Sequence, residues 1–227
     1  MKNVGDPEVS GRPSLTISGK VEKMKKIIFL IFIITTAFVW GQDAREVIAN
    51  PPDALGIAHE LDDEVFCGWT YGSYSADKKH LDCTTFVSAV VDTILSRHNV
   101  DYTREIKNDV LINHSNLGRN VVQEGPDLQD PRYGGVAYAI VKHNFGIQIK
   151  DMSKVKPGDF IQYWKQRNNG SWFGHASLIE SVRYDKKAKV YKAKIFGSHK
   201  STDGIEVSKF ELFLSGDDRV VYIGRIQ

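Results

Sequence analysis

Cys83 and His175 are the residues of this chain whose types and surroundings best suit a nucleophile and its base. Cys83 stands directly after Asp82 in the stretch Leu81–Leu95, LDCTTFVSAVVDTIL, and His175 follows Gly174 in GHASLIESV. A thiol needs a base within hydrogen-bond reach, and the base needs a third group to orient it. After Cys83 the apolar residues Phe86, Val87, Val90, Val91, Ile94 and Leu95 recur at three- and four-residue spacing, which predicts one buried face of a helix. Asp82 is then the expected N-cap, and the sulfur sits in the first turn. Unpaired backbone N–H groups and the positive end of the helix dipole favour thiolate at that place. The alternative is a small buried cysteine that merely opens a core helix.

Among the seven histidines, His59, His80, His98, His114 and His143 fall at expected helix ends or in polar loops. His175 differs because it is expected to open a strand beyond a hairpin, in the half of the chain that must pack on the cysteine helix.

The elements that would position these groups fall into two halves. A short helix is expected from Asp43 to Ala49, broken by Asn50-Pro51-Pro52, and a second from Asp53 to about Leu61. Asp101–Leu117 reads as a turn and short helix or irregular structure, Glu124–Gly135 as a loop, and Val136–Val141 as a short helix. From Ile147 the pattern becomes strand-like. Lys156-Pro157-Gly158-Asp159 is a turn feeding Phe160–Trp164, with either Phe160 and Tyr163 or Ile161 and Trp164 toward the cleft or core. His175–Val182, Val190–Phe196 and Val220–Ile226 follow as strands. Helices first and an antiparallel sheet afterwards imply an α+β domain.

Residues 24–41 carry two lysines, the apolar run IIFLIFIITTAFVW and a small residue before Gln42, the pattern of a secretory signal peptide. The run is short of the roughly 20 residues a membrane span needs. Cleavage before Gln42 would leave no stable membrane span, a secreted or periplasmic location, and one domain over 42–227. Residues 1–23 read as a polar extension or a misassigned start. The full chain has a net charge of +2, whereas residues 42–227 hold 24 basic against 25 acidic side chains. With no basic patch, nucleic-acid binding is excluded.

Export permits a disulfide between the two cysteines, Cys67 and Cys83. Such a bridge would remove the thiol's chemistry. Without it, Cys67 is expected as a buried thiol beside the active-site strand or loop.

Leu81-Asp82-Cys83-Thr84-Thr85-Phe86-Val87 resembles the Asp-Cys-Ser-Gly-Phe-Val signature of the NlpC/P60 peptidases. Pro157-Gly158-Asp159-Phe160 resembles that family's Pro-Gly-Asp-Leu turn, and Gly174-His175-Ala176 its Gly-His-Val strand start. The three motifs occur in the family's order, and the resemblance spans about Cys67 to Ile226. The DCTTFV variant also resembles a related group of bacterial amidase-like proteins with Thr-Thr in place of Ser-Gly.

The resemblance implies a papain-like α+β fold, with N-terminal helices and the cysteine helix packed on a C-terminal antiparallel sheet. It also implies a cysteine hydrolase acting on an amide bond of peptidoglycan stem peptides, as a monomer and without cofactor or metal. Cys83 would attack the carbonyl and His175 would take the thiol proton and return it to the leaving amine. The family's third residue, a polar one on the next strand, maps to His199, with Ser198 the alternative for a shift of one residue in register. The oxyanion would meet the Cys83 backbone N–H and a side-chain donor. The family's Tyr-x-x-Gly-Gly segment is replaced by Trp69-Thr70-Tyr71-Gly72-Ser73. Aligning on glycine selects Trp69, whereas counting back from the cysteine favours Tyr71, whose phenol can donate. Asp82, Ser198 and Trp172 complete the expected substrate surroundings, with Trp164 and Phe173 as further cleft aromatics. The implied bond is γ-D-glutamyl to diamino acid. The alternatives are the muramoyl–L-alanine amide and a non-catalytic wall-binding module.

Overall fold

Two aspartates begin the helices that frame the cysteine. The Asp53 carboxylate accepts the Gly56 N–H at 2.9 Å and starts α1, Ala54–Glu64. The Asp82 carboxylate accepts the Thr85 N–H at 2.8 Å and starts α2, Cys83–Arg97. Each cap satisfies one of the donors that a helix start leaves unpaired. The apolar stripe of α2 is buried as its spacing requires, from Phe86 and Val87 through Leu95. Each such side chain stabilises the fold by about 1.5–3 kcal/mol relative to exposure.

The computed structural model describes residues 52–112, 121–208 and 218–227, and the backbone of Glu211–Leu212. The expected signal peptide and the expected helix Asp43–Ala49 lie outside the described residues. Among the described residues, no helix is long and apolar enough to cross a membrane.

Beyond α2 come α3 (Arg104–Val110), capped by Thr103, then α4 (Val121–Glu124), and α5 (Gly135–Lys142). The expected loop Glu124–Gly135 is more ordered than its Gly and Pro content suggested. It contains a 3-10 turn, Pro131–Gly134, started by the Asp130 side chain.

The strands are β1 (Thr70–Tyr71), β2 (His80–Leu81), β3 (Gly146–Gln148), β4 (Phe160–Gln166), β5 (Trp172–Asp185), β6 (Val190–His199), β7 (Gly204–Val207), β8 (Glu211–Leu212) and β9 (Arg219–Ile226). β1 and β2 form a small parallel pair. The rest form one antiparallel sheet in the order β3-β9-β4-β5-β6-β7, with β8 also on β6. Mixed helix and antiparallel sheet, helices mainly first, is the α+β class expected. The short strands β1, β2, β7 and β8 were not expected, because two- to four-residue strands carry too little alternation to be read.

Alternation sorts the sheet into two faces. Phe160, Ala176, Leu178 and Phe196 join the large core under α1, α2 and α5. Ile161, Ile179, Ile195 and Ile223 face the other way, into a second cluster with Ile149 and Val155. Phe160 therefore shares its face with Trp164, and Ile161 with Tyr163, correcting the pairing expected from the sequence. β5 also begins at Trp172, so His175 sits inside the strand rather than at its start.

The Pro-Gly-Asp turn ties the sheet together. Gly158 has φ 86°, a conformation that favours glycine, and the Asp159 N–H donates to the Lys156 carbonyl at 3.2 Å. Asp159 is fully buried. It accepts Arg225 Nε at 2.6 Å and Arg225 Nη2 at 2.8 Å, linking the start of β4 to β9.

Candidate active site

The sheet opens where the cysteine meets it. β5 and β6 pair from Asp185↔Val190 to Leu178↔Phe196, and the ladder stops there. Continuing that register places Ser177 opposite Gly197, Ala176 opposite Ser198, and His175 opposite His199. β6 instead pairs on its other edge with β7, through Gly197↔Glu206, Ser198↔Ile205 and His199↔Gly204. The N-terminus of α2 approaches this opening. The Ala176 backbone N–H, left without a β6 partner, hydrogen-bonds the Cys83 sulfur. Ser198 Oγ donates to the Leu81 carbonyl at 2.7 Å, holding the chain two residues before the cysteine.

Alternation then separates the two candidates for the third group. Ser198 lies on the helix face and is occupied with Leu81. His199 lies on the same face as His175, and their rings stack with centroids 4.6 Å apart. Tyr163, the β4 partner of His175, flanks it from the other side at 5.4 Å. His199 Nε2 is buried with no hydrogen-bond partner. Among the described residues, the hydrogen bond to the His175 ring comes from a residue the sequence did not point to. Ser177 Oγ lies 2.9 Å from His175 Nε2, and Ser177 is fully buried. Its only signal was the two-residue spacing from His175, which places both side chains on one face of a strand.

Tyr71 is brought to the site by the small parallel pair. It stands beside Leu81 in register, and the Gly72 N–H donates to the Leu81 carbonyl at 3.3 Å. Burial raises the phenol's pKa, and the nearby Cys83 and Asp82 raise it further when charged. Trp69, the rival, packs its ring against Phe66 at 5.1 Å and Tyr74 at 6.2 Å. Asp82 proves to be bound to its own helix: one carboxylate oxygen takes both the Thr85 N–H and the Thr84 hydroxyl, the latter at 3.0 Å. A carboxylate has no donor for an oxyanion, so its role here is capping. Trp172 packs against the small cluster of Val121, Tyr133 and Trp164. Phe173 lies edge-on to Tyr163 and under the Arg167 guanidinium.

The Cys83 thiol and the two imidazoles are uncharged at neutral pH. Burial pushes the Cys83 thiol up to about 11, and the Asp82 charge adds to that. The N–H groups of Ala176, Thr84 and Cys83 act in the opposite direction and lose. The helix-start field expected to favour thiolate is thus present but outweighed by desolvation. Burial, reinforced by His199, pushes His175 down to about 3. Burial likewise brings His199 down to about 4, partly offset by the backbone of Ile195 and Glu206.

Both cysteines are free thiols, so no Cys67–Cys83 bridge forms. Cys67 is exposed, not buried beside the site as expected, because it falls in the turn just past α1. No protein-family model, curated protein or solved structure matches the chain.

One other group of ligand-type side chains lies among the described residues. Glu105, Asp109 and His143 converge between α3 and the end of α5. The Lys142 ammonium already bridges the two carboxylates, at 2.8 Å from Asp109 and 3.0 Å from Glu105. His143 Nε2 meets Asp109 at 2.7 Å. A cation is therefore built into this cluster by the protein itself.

Proposed function

We propose that this protein is a cysteine amide hydrolase of the papain-like, NlpC/P60 type, acting on the stem peptides of bacterial peptidoglycan. One observation carries the reading: the Cys83 sulfur rests on the Ala176 N–H, one residue from His175, at the opening between β5 and β6. The three sequence motifs support it, since each falls at a working point of the structure. Asp82-Cys83 starts α2, Gly174-His175 lies on β5, and the Pro157-Gly158-Asp159 turn aligns β4 and β9.

Because the resting pair is neutral, His175 acts as a general base rather than as half of a standing ion pair. The S–H bond breaks as sulfur bonds to the substrate carbonyl carbon, and the proton passes to the imidazole. The imidazolium then protonates the leaving amine, and water hydrolyses the thioester. Backbone N–H groups at the start of α2 and the Tyr71 hydroxyl would supply the donors to the oxyanion. The bond we assign is γ-D-glutamyl to diamino acid, and the muramoyl–L-alanine amide is the alternative on the same machinery.

Digesting purified peptidoglycan with wild type and Cys83→Ala, followed by mass spectrometry of the fragments, tests the reading. New amino termini at diamino acid support the first bond, and new termini at L-alanine the second. Identical fragment patterns from the two proteins would remove Cys83 from the reaction. No new fragments from either protein, with retained binding to insoluble peptidoglycan, would favour a non-catalytic wall-binding module. The depth of Cys83, only 7% exposed, is the observation on that side.

A further inference from the structure

The hydrogen bond between His175 and Ser177 has no counterpart in the motifs that suggested the site. His175 uses Nε2 for it, at 2.9 Å. Of the two ring nitrogens, Nδ1 is bonded to Cγ and lies nearer the main chain, and the Cys83 sulfur is held on the main-chain N–H of the very next residue. With Nε2 engaged, Nδ1 is the nitrogen left for the thiol proton. His199 also stacks on the ring and Tyr163 lies beside it, tilted by 54°, which leaves in-plane pivoting as a motion that the stack does not oppose. A bond to Nε2 restrains that motion.

The surroundings of Ser177 are shaped for its hydroxyl. Ser177 is fully buried, and extending the β5–β6 register by one residue beyond Leu178↔Phe196 brings Gly197 opposite it. A Cβ at Gly197 would lie 2.9 Å from Ser177 Oγ. That glycine has no positive φ to explain it, since it is absent from the positive-φ glycines of the chain. The missing side chain is what leaves room for the hydroxyl.

We propose that Ser177 is a positioning residue, holding His175 with Nε2–H donated to its hydroxyl oxygen and Nδ1 bare toward Cys83. The bond survives proton transfer, because Nε2 keeps its hydrogen in both the neutral ring and the imidazolium. When the thiol S–H breaks, the new N–H forms at Nδ1 alone. This rests on the reading of Cys83 and His175 as nucleophile and base.

The test uses Cys83 alkylation by iodoacetamide, followed by intact mass and peptide mapping across pH, and needs no peptidoglycan. Exposed Cys67 is changed to serine in every protein compared. His175→Ala should slow Cys83 alkylation at neutral pH, and should move its pH dependence toward that of an unassisted buried thiol. Ser177→Ala should slow it about tenfold, the worth of one hydrogen bond of this kind. Gly197→Ala, whose added Cβ has Ser177 Oγ as its nearest neighbour, should reproduce the Ser177→Ala profile. On the unmutated ring, nitrogen-15 spectra of His175 should show a protonated Nε2 and a bare Nδ1. If His175→Ala leaves alkylation unchanged, the nucleophile–base reading fails. If His175→Ala slows it but Ser177→Ala and Gly197→Ala do not, or the spectra show Nδ1–H, the assignment of Ser177 fails alone.

Discussion

His175 and His199 stand opposite one another on neighbouring strands that have ceased to pair, with their rings stacked 4.6 Å apart. Neither ring can gain a proton cheaply there, since each is buried and a charge on one opposes a charge on the other.

Acid should therefore loosen the fold through these rings. Their pKa values in the folded protein, about 3 and about 4, lie below the ordinary histidine value of 6.5. The unfolded chain takes up these protons first as the pH falls. The stability they permit is complete above pH 6.5 and is lost progressively down to the folded values. Each ring contributes a slope of at most about 1.4 kcal/mol per pH unit. Urea denaturation at intervals between pH 7.5 and 4.5 checks this against His199→Phe, which keeps a stacked ring without the titration. The variant should show a shallower decline, and an unchanged slope would exclude His199 as a source.

Asp82 combines a cap that stabilises α2 with a charge that disfavours thiolate. Asp82→Asn keeps an N-capping side chain and removes the charge, so the Cys83 thiol should move down from about 11. Asp82→Ala should lose about 1 kcal/mol of stability as well. Thiolate absorbance during a pH titration reads the first effect, and thermal melts read the second. An upward shift in Asp82→Asn would contradict the electrostatic assignment.

Tyr71→Phe keeps the half-buried ring and deletes the hydroxyl. As an oxyanion donor Tyr71 should contribute about 10²-fold to kcat, with KM little changed. Steady-state kinetics on a soluble stem-peptide fragment would show it. A change confined to KM would instead make Tyr71 a substrate-binding residue.

Arg225→Met would leave Asp159 as an uncompensated carboxylate beneath the Pro-Gly-Asp turn. Breaking a buried pair in this way costs about 3–5 kcal/mol. Denaturant unfolding at neutral pH should show that loss, and Asp159→Asn combined with Arg225→Met should recover part of it. A cost below about 1 kcal/mol for Arg225→Met would mean that the pair behaves as an exposed one.

Local chemistry alone determines a good part of this protein. The i, i+3, i+4 spacing after Cys83 needs no partner to be read as a helix with one buried face, and Asp82 needs only the next three residues to cap it. The Pro157-Gly158 pair forms its turn for reasons internal to four residues. The order of helices before strands carried the α+β class. What the sequence by itself could not determine is everything that depends on two strands lying side by side.

The choice between Ser198 and His199 is a matter of register, and register is set by which residues of β5 stand opposite which of β6. A β-bulge between Ile179 and Ser181 shifts that register by one residue, and no local pattern announces it. The helix start alone likewise does not set the thiol's acidity, because desolvation depends on how deeply the rest of the fold covers the sulfur. Cys67 was exposed rather than buried for the same reason. Ser177 illustrates the point most clearly. An ordinary serine in a strand became a partner for His175 only because the tertiary structure removed water from both, stacked a second histidine on the ring, and set a glycine where a side chain would have displaced the hydroxyl.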